Sequence, residues 1–249
     1  MHKKTKLKAF LLVAGRGEKL SPLTDSIPKC LLPIAGVPLL QIWLENLVQA
    51  GIDEVLINTH WLHEKVEEFV GKWSSRNNKI QINLFHEPVL LGSAGTLLAN
   101  RNWAGTDPFF IIYGDNLTRL NLHKMLGVHK TCGLPLTIRI YRGADSRKAG
   151  IVCIDENYIV TDFEEKPDKP KSDLGAGAIY IADSRIFNFF PPSEEAAAGG
   201  VLDLSYHVLP RMAGQMKAYD SGEFSLDIGT PDAYATAQEI WAEMNTADG

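Results

Sequence analysis

The hydrophobic pattern of the first 145 residues alternates between two kinds of segment. Short, nearly continuous apolar runs predict buried strands, and longer runs with apolar residues three and four positions apart predict amphipathic helices. The predicted strands are 9–13, 54–59, 80–85, 108–113 and 134–141, and the predicted helices are 38–50, 62–73, 93–101 and 120–132. This alternation predicts parallel βαβ units with right-handed crossovers and helices on both faces of the sheet.

The pattern changes in the second half of the chain. Two alternating runs, 150–155 and 158–163, flank Glu156-Asn157 and predict a β-hairpin. Further predicted elements are a strand at 175–181, a helix at 203–213, a strand at 224–228 and a final helix at 232–244. The segments 167–172 and 191–200 are expected to be flexible connections.

Composition narrows the class of protein. The chain has 249 residues, 45% of them hydrophobic, and a formal net charge of -5, which argues against a general nucleic-acid binder. Three well-separated cysteines without a CxxC pair fit a reducing cytoplasm. Lys8 interrupts the first apolar run, so this run is interpreted as a strand behind a basic leader rather than a signal peptide. No apolar run is long enough to span a membrane, so we expect no membrane partner.

A glycine loop follows the first predicted strand. Gly15 and Gly17 allow a tight turn that exposes backbone N–H groups, and Arg16, Lys19 and Lys29 add positive charge. The loop lacks the third glycine of a dinucleotide-binding fingerprint and the Gly-Lys-Ser/Thr ending of a Walker A loop. On these residues alone, a polyphosphate site and an ordinary strand-to-loop junction both stay open.

The longer sequence segment that contains this loop is a more specific motif. Residues 14–24, followed by Pro28-Lys29 and Pro33-Ile34, resemble the N-terminal signature of the sugar-1-phosphate nucleotidylyltransferases, with Lys19 where that family usually has arginine. Further segments resemble the family in the expected order, namely 91–95, 113–116, 164–167 and 225–231. The resemblance implies a Rossmann-like, mixed but mostly parallel sheet of the nucleotide-diphospho-sugar transferase type. It also implies one domain over 1–249, with a nucleotide-binding half at about 7–145 and a sugar-phosphate-binding half at about 146–249.

The family resemblance also implies an activity and an assembly. We expect a nucleotidyltransferase of the short form that lacks a C-terminal β-helix, and therefore no acetyltransferase activity. The expected substrates are a nucleoside triphosphate and a sugar-1-phosphate, and a homodimer or higher oligomer is expected. No nucleophile–base pair is recognisable, which agrees with attack by an already ionised phosphate.

Two aspartates are the expected metal ligands. Asp115 ends an apolar strand and Asp227 precedes Gly229-Thr230-Pro231, and carboxylate oxygens suit Mg²⁺. Considered without the resemblance, Asp115 could equally be a turn or capping residue, and Asp227 could be a turn residue that caps the last helix.

The remaining site residues are assigned by resemblance. Catalytic contacts with phosphate are expected from Lys29, Lys19 and Arg16, because Arg16 could replace the missing arginine. The nucleotide-binding residues are expected to be Val13, Ala14, Gly15, Gly17, Glu87, Gly92 and Ser93. The sugar-phosphate-binding residues are expected to be Asn116, Gly150, Glu165, Lys166 and Gly177. His60 and His63 are interpreted as surface residues at the start of a helix rather than as ligands.

Glu87 gives the only indication of the base. A carboxylate accepts hydrogen bonds, and guanine offers two adjacent donors, so Glu87 favours GTP. The first hypothesis is therefore a guanylyltransferase acting on mannose- or heptose-1-phosphate. The alternatives are a uridylyltransferase acting on an amino-sugar or muramic-acid phosphate, a thymidylyl- or cytidylyltransferase (phosphocholine included), and a non-catalytic nucleotide-sugar sensor.

Overall fold

The computed structural model describes residues 6–145, 147–192 and 200–247. In chain order the elements are β1 (Lys8–Leu12), α1 (Leu23–Ser26), β2 (Pro33–Ile34), β3 (Val37–Pro38), α2 (Leu39–Gln49), β4 (Glu54–Thr59), α3 (His63–Ser74), β5 (Gln81–His86), α4 (Ser93–Ala99), α5 (Arg101–Ala104), β6 (Phe109–Tyr113), β7 (Asn116–Thr118), α6 (Leu122–Cys132), β8 (Leu136–Arg142), β9 (Gly150–Ile154), β10 (Val160–Glu165), β11 (Leu174–Ala182), α7 (Leu204–His207), β12 (Met216–Asp220), β13 (Ser225–Asp227) and α8 (Pro231–Ala247).

The described residues cluster into two units whose segments interleave along the sequence. The glycine-loop unit comprises residues within Ala9–Val89, Tyr113–Leu120 and Glu223–Gly249. The antiparallel unit comprises residues within Met1–Lys8, Leu90–Ile112 and Asn121–Gly222. The predicted halves, 7–145 and 146–249, are each continuous in sequence, whereas these units are not. The assignment of one half to the nucleotide and the other to the sugar phosphate stays a prediction.

The glycine-loop unit carries the strand order β1-β4-β5. β4 and β5 run parallel with Thr59 opposite His86, and α3 connects them, which confirms the predicted βαβ unit. All six residues of β4 are buried. In α3 the buried residues Val66, Val70 and Trp73 recur at helical spacing, so the helix buries one face and leaves the other in solvent.

Two short strands complete this unit near its charged residues. β7 pairs antiparallel with β13, and Asn116 lies opposite Asp227. Trp43 of α2 donates its indole N–H to the backbone oxygen of Asn116 at 2.8 Å, which ties β7 to a buried helix. Neither β7 nor its pairing was predicted, because three residues are too few to show a period.

The antiparallel unit contains strands in the order β10-β9-β11-β6, and β8 joins β11 to β12. β9 and β10 are antiparallel, which confirms the predicted hairpin. β11 is antiparallel to β6, β8 and β9, whereas β12 runs parallel to β8. The register between β11 and β8 shifts after Ala176, and Ala178 adopts a positive φ of 55° within this irregularity.

Several predicted boundaries were wrong for local reasons. The helix predicted at 203–213 divides into α7 and a 3₁₀ turn at Leu209–Met212, because Pro210 has no amide hydrogen and disfavours helix at the residue before it. The helix predicted at 93–101 ends at Ala99. Strand β12 was missed. The connection predicted at 191–200 lies largely outside the described residues.

A search of the described residues for membrane-spanning helices finds none that is both long and apolar enough.

Candidate active site

Lys29, Asp115 and Asp227 form a charged cluster in the glycine-loop unit. The Lys29 ammonium contacts Asp115 Oδ2 at 2.7 Å and Asp227 Oδ1 at 3.7 Å, and its side chain is only 13% exposed. The three residues lie far apart in sequence, and all three are expected to bind phosphate or metal. The structure therefore brings the expected metal ligands together around the expected phosphate-binding lysine.

Backbone hydrogen bonds position the two carboxylates. The β7–β13 pairing aligns their segments, and the Ile228 N–H donates to the Asp115 backbone oxygen at 3.1 Å. Asp227 Oδ1 accepts the Gly229 N–H at 2.7 Å. Asn116 donates its side-chain N–H to Asp115 Oδ1 at 3.0 Å and is 8% exposed. Asn116, expected at the sugar phosphate, thus supports a carboxylate in this structure.

The cluster contains more negative than positive charge. Desolvation of the Asp227 carboxylate and, second, the negative charge of Asp115 raise the pKa of Asp227, and Lys29 only partly opposes them. The Asp227 side chain is nevertheless 65% exposed, so a charged partner from solution can reach it. Two carboxylates and one ammonium carry a net charge of about -1 when all are ionised, and this composition suits a further cation.

The glycine loop lies beside this cluster. Gly17 has a φ of 69°, and a Cβ added there would meet Thr24 Cγ2 at 3.0 Å, so both conformation and space favour glycine. Thr24 Oγ1 donates to the Gly17 backbone oxygen at 2.8 Å and fixes the loop. A cavity beside the loop is lined by Leu12, Val13, Gly15, Lys29, Cys30, Gly114 and Asp115.

Arg16 and Lys19 occupy different environments. The Arg16 guanidinium lies 4.4 Å from the centre of the Trp61 ring, a cation–π contact, and Trp61 in turn donates to the Thr24 backbone oxygen at 2.9 Å. Lys19 is exposed and lies in the 3₁₀ turn Glu18–Leu20. Trp61 was not singled out from the sequence, although its position just after β4 places it at the same strand edge as the loop.

Glu87 is buried rather than open to solvent. It is 1% exposed, and its Oε1 accepts the Asn58 side-chain N–H at 3.0 Å. Asn58 Oδ1 in turn accepts the Val13 backbone N–H at 2.7 Å. Glu87 thus supports the start of the glycine loop through Asn58, a residue that the sequence analysis did not identify. The expected contact with a guanine base stays a prediction.

Glu165 and Lys166 form the second expected group, in the antiparallel unit. Glu165 ends β10, its side chain is 12% exposed, and Lys166 lies 3.6 Å away. Burial raises the pKa of Glu165, Lys166 opposes this shift, and Asp203 adds to it. Gly150 is opposite Glu165 in the hairpin, and a Cβ added to Gly150 would meet Phe163 at 2.6 Å and Glu165 Oε2 at 2.8 Å.

Other expected ligands in this unit have structural partners. Ser93 donates its hydroxyl to Asp203 at 3.0 Å and accepts the Leu204 N–H at 2.8 Å. Gly92 has a φ of 81° and leads into α4, whose first N–H groups donate to the Leu202 oxygen. Gly177 lies against Arg139, which is 5% exposed. Asp203 and Arg139 were missed because each is a single charged residue without a motif.

Comparison with known proteins gives the family. A sequence profile of the nucleotidyl transferase family matches residues 8–243. A mannose-1-phosphate guanylyltransferase catalytic subunit beta from Drosophila pseudoobscura pseudoobscura is 30% identical over 94% of this chain, which spans 62% of that relative. The D-glycero-alpha-D-manno-heptose 1-phosphate guanylyltransferase of Aneurinibacillus thermoaerophilus is 28% identical over 94% of this chain and 97% of its own length.

A solved structure shows the same fold. The putative glucose-1-phosphate thymidylyltransferase from Bacillus anthracis aligns with a TM-score of 0.83 at 22% identity, over 94% of each chain. This likeness confirms the predicted Rossmann-like fold of the nucleotide-diphospho-sugar transferase type. The expected motifs, the matching profile and this fold agree, and the chain belongs to the nucleotidyl transferase family.

Proposed function

We propose that this protein transfers a nucleotidyl group from a nucleoside triphosphate to a sugar-1-phosphate, with GTP and mannose- or heptose-1-phosphate as the preferred pair. The observation that carries the proposal is the cluster of Lys29, Asp115 and Asp227 beside the glycine loop. The reaction joins two anions, so it needs positive charge at the point where they meet. This cluster offers a partly buried ammonium and two carboxylate ligands for a cation.

The donor set of the cluster fits Mg²⁺. Both carboxylates provide hard oxygen atoms, and Asp227 is accessible, with a pKa raised first by desolvation and then by the nearby Asp115 charge. A divalent ion would remove this repulsion. Asp115 and Asp227 would hold Mg²⁺, which when bound neutralises charge on the phosphates. The Lys29 ammonium, which lies beside both carboxylates, would contact a phosphate oxygen of the substrates.

The bond changes balance without a general base. An ionised oxygen of the sugar-1-phosphate attacks the α-phosphorus of the triphosphate, and a new P–O bond forms. The bond between the α-phosphorus and the oxygen that bridges to the β-phosphorus breaks, and pyrophosphate leaves with that electron pair. Lys29 and the glycine-loop N–H groups are proposed to stabilise the charge that develops on the phosphates. Glu165 is proposed to accept hydrogen bonds from sugar hydroxyls, and Lys166 to contact the sugar phosphate.

The relatives support the choice of base and sugar. Two of them are named for guanylyl transfer, one to mannose-1-phosphate and one to a heptose 1-phosphate. A third, from Synechocystis, is a UTP–glucose-1-phosphate uridylyltransferase at 29% identity. The substrate pair is therefore tested by pyrophosphate release with Mg²⁺ for five nucleoside triphosphates against a panel of sugar-1-phosphates.

Matched variants make this assay specific. We expect GTP with mannose- or heptose-1-phosphate to give the highest kcat/KM, and Asp115→Asn and Asp227→Asn to lower kcat by about 10²-fold or more. Asp107→Asn, an exposed aspartate in the antiparallel unit, should leave turnover unchanged. Selectivity for UTP or dTTP would overturn the guanylyl assignment. Nucleotide-sugar binding without pyrophosphate release from any pair would make the protein a sensor.

The same assay distinguishes the roles of Arg16 and Lys19. Lys19 is a point charge where the family usually has arginine, whereas Arg16 carries a guanidinium held over Trp61. If Arg16 supplies the guanidinium, Arg16→Lys should raise the KM for the triphosphate about tenfold. An unchanged KM in Arg16→Lys, together with lost turnover in Lys19→Ala, would assign the role to Lys19.

Two further expectations concern the cellular location and the oligomeric state of the protein. The three cysteines are free thiols, which supports a cytoplasmic location. The homo-oligomer implied by the family resemblance is tested by light scattering.

A further inference from the structure

Three side chains in the β4–α3–β5 segment that are not part of the Lys29 cluster lie close to one another. His63 Nδ1 lies 2.9 Å from Glu67 Oε1, and the His63 and His86 ring centres are 4.0 Å apart. One ligand atom from each residue lies within 4.8 Å of the other two. We propose that His63, Glu67 and His86 form a binding site for Zn²⁺ or a similar first-row transition-metal ion.

The backbone already holds the three residues in place. His63 is the first residue of α3, and Glu67 lies one helical turn later on the same face. His86 ends β5 and is paired in register with Thr59 of β4, the strand that leads into α3. The helix and the parallel strand pair fix the three Cα positions, so ion binding requires side-chain rotation only.

The distances are within reach of a tetrahedral site. Zn–N and Zn–O bonds of about 2.0–2.1 Å place tetrahedral ligand atoms about 3.3 Å apart. The observed separations, at most 4.8 Å, therefore need to close by roughly 1.5 Å or less, which rotation of an exposed carboxylate and imidazole can supply. Glu67 and His86 are exposed and His63 is half-buried, so an ion reaches all three from solvent.

The ligand chemistry distinguishes this site from the Asp115–Asp227 pair. Two imidazoles and one carboxylate suit Zn²⁺ and other ions late in the first row, whereas Mg²⁺ prefers oxygen ligands. Three protein ligands leave at least one coordination position for water. The ion would join the start of α3 to the end of β5, immediately before Glu87. The site would therefore stabilise the segment that supports the glycine loop.

Calorimetry on the full chain, freed of metal and kept in excess Mg²⁺, tests the proposal. Mg²⁺ occupies oxygen-only sites, so a Zn²⁺ titration reports the mixed site. We expect one Zn²⁺ per chain. We also expect His63→Ala and His86→Ala each to weaken binding by at least 30-fold, and Glu67→Gln by about tenfold. His123→Ala, an exposed histidine in α6, is the matched control and should bind as the unmodified chain does.

Two further measurements keep the result independent of catalysis and of folding. Co²⁺ bound in place of Zn²⁺ should show a spectrum without thiolate charge-transfer bands, because Cys132 and Cys153 are not ligands in this proposal. Zn²⁺ should raise the Tm of the unmodified chain and of His123→Ala, but not of His86→Ala. The proposal is overturned by binding that survives both histidine variants, by thiolate bands, or by no binding in excess Mg²⁺.

Discussion

Two groups of charged side chains, one in each unit, contain the same kinds of residue but are arranged in opposite ways. In the glycine-loop unit the less exposed member is the cation: the Lys29 side chain is 13% exposed, whereas Asp115, 2.7 Å away, is 35% exposed. In the antiparallel unit the less exposed member is the carboxylate: the Glu165 side chain is 12% exposed, whereas Lys166 is 47% exposed and 3.6 Å away. Burial, rather than composition, thus decides which charge is held in place.

The difference indicates different chemistry for each group. An ammonium held between two carboxylates lies where phosphate oxygens could replace the carboxylates as its partners, which agrees with the proposed phosphate site. Partial burial raises the pKa of the Glu165 carboxyl, and its oxygens can accept hydrogen bonds, which agrees with the proposed contact with sugar hydroxyls.

The largest effect is expected from removing the charge of Lys29, the less exposed cation. Lys29→Met leaves Asp115 and Asp227 without their ammonium, and we expect kcat for pyrophosphate release to fall by about 10²–10³-fold. Lys166→Met should mainly raise the KM for the sugar-1-phosphate, by about tenfold. Lys79→Met, at an exposed position of the glycine-loop unit, is the control. Equal losses of kcat in Lys29→Met and Lys166→Met would contradict the distinction between the two groups.

Neutralising Glu165 should have opposite effects on sugar binding and on stability. The pKa of Glu165 is raised in the folded protein, so its ionised form costs folding free energy. This cost grows as pH rises from the ordinary glutamate pKa through the raised value, and it is absent below both. We therefore expect Glu165→Gln to raise the Tm at pH 7.5 but not at pH 4, while the KM for the sugar-1-phosphate rises about tenfold.

Differential scanning fluorimetry at the two pH values, together with steady-state kinetics, checks this prediction. A lower Tm at pH 7.5 would show that the Lys166 charge outweighs desolvation. Glu164→Gln, at an exposed neighbouring position, is the matched control.

A smaller effect is expected from filling the space beside Glu165. A Cβ in Gly150→Ala would stand 2.6 Å from Phe163 and 2.8 Å from Glu165, so both side chains must move. We expect a loss of about 1–3 kcal/mol in the free energy of unfolding. Gly127→Ala, in α6 with open space around it, should be neutral or stabilising. Urea unfolding measures the stability of both variants. Equal free energies of unfolding would contradict the prediction, because the hairpin would then accommodate the added Cβ without loss of stability.

The smallest effect concerns Cys30, the buried residue that follows Lys29 in the chain. Cys30 is 2% exposed, and burial raises the pKa of its thiol to about 12. We expect Cys132 and Cys153, which are partly exposed, to react with a maleimide at pH 7 while Cys30 does not. Peptide mass spectrometry identifies the modified residue. Modification of Cys30 in the folded protein would show that the buried side of this cluster opens.

The sequence by itself determined the elements with a clear period and the residues within motifs. The all-buried strand β4 followed from a short, nearly continuous apolar run, and the helix α3 followed from apolar residues three and four positions apart, because burial of one helix face imposes that spacing. Lys29, Asp115 and Asp227 were each identified by the short motif around them. The fold class followed because several such motifs occur in a fixed order.

Only the tertiary structure decided how side chains combine. The 2.7 Å contact between Lys29 and Asp115 depends on the pairing of β7 with β13, strands too short to show a period. The burial of Glu87 against Asn58, and the convergence of His63, Glu67 and His86, depend on the parallel pairing of β4 with β5. Contacts between distant segments carry no local signal, since the chain must first bury its apolar faces before those side chains meet.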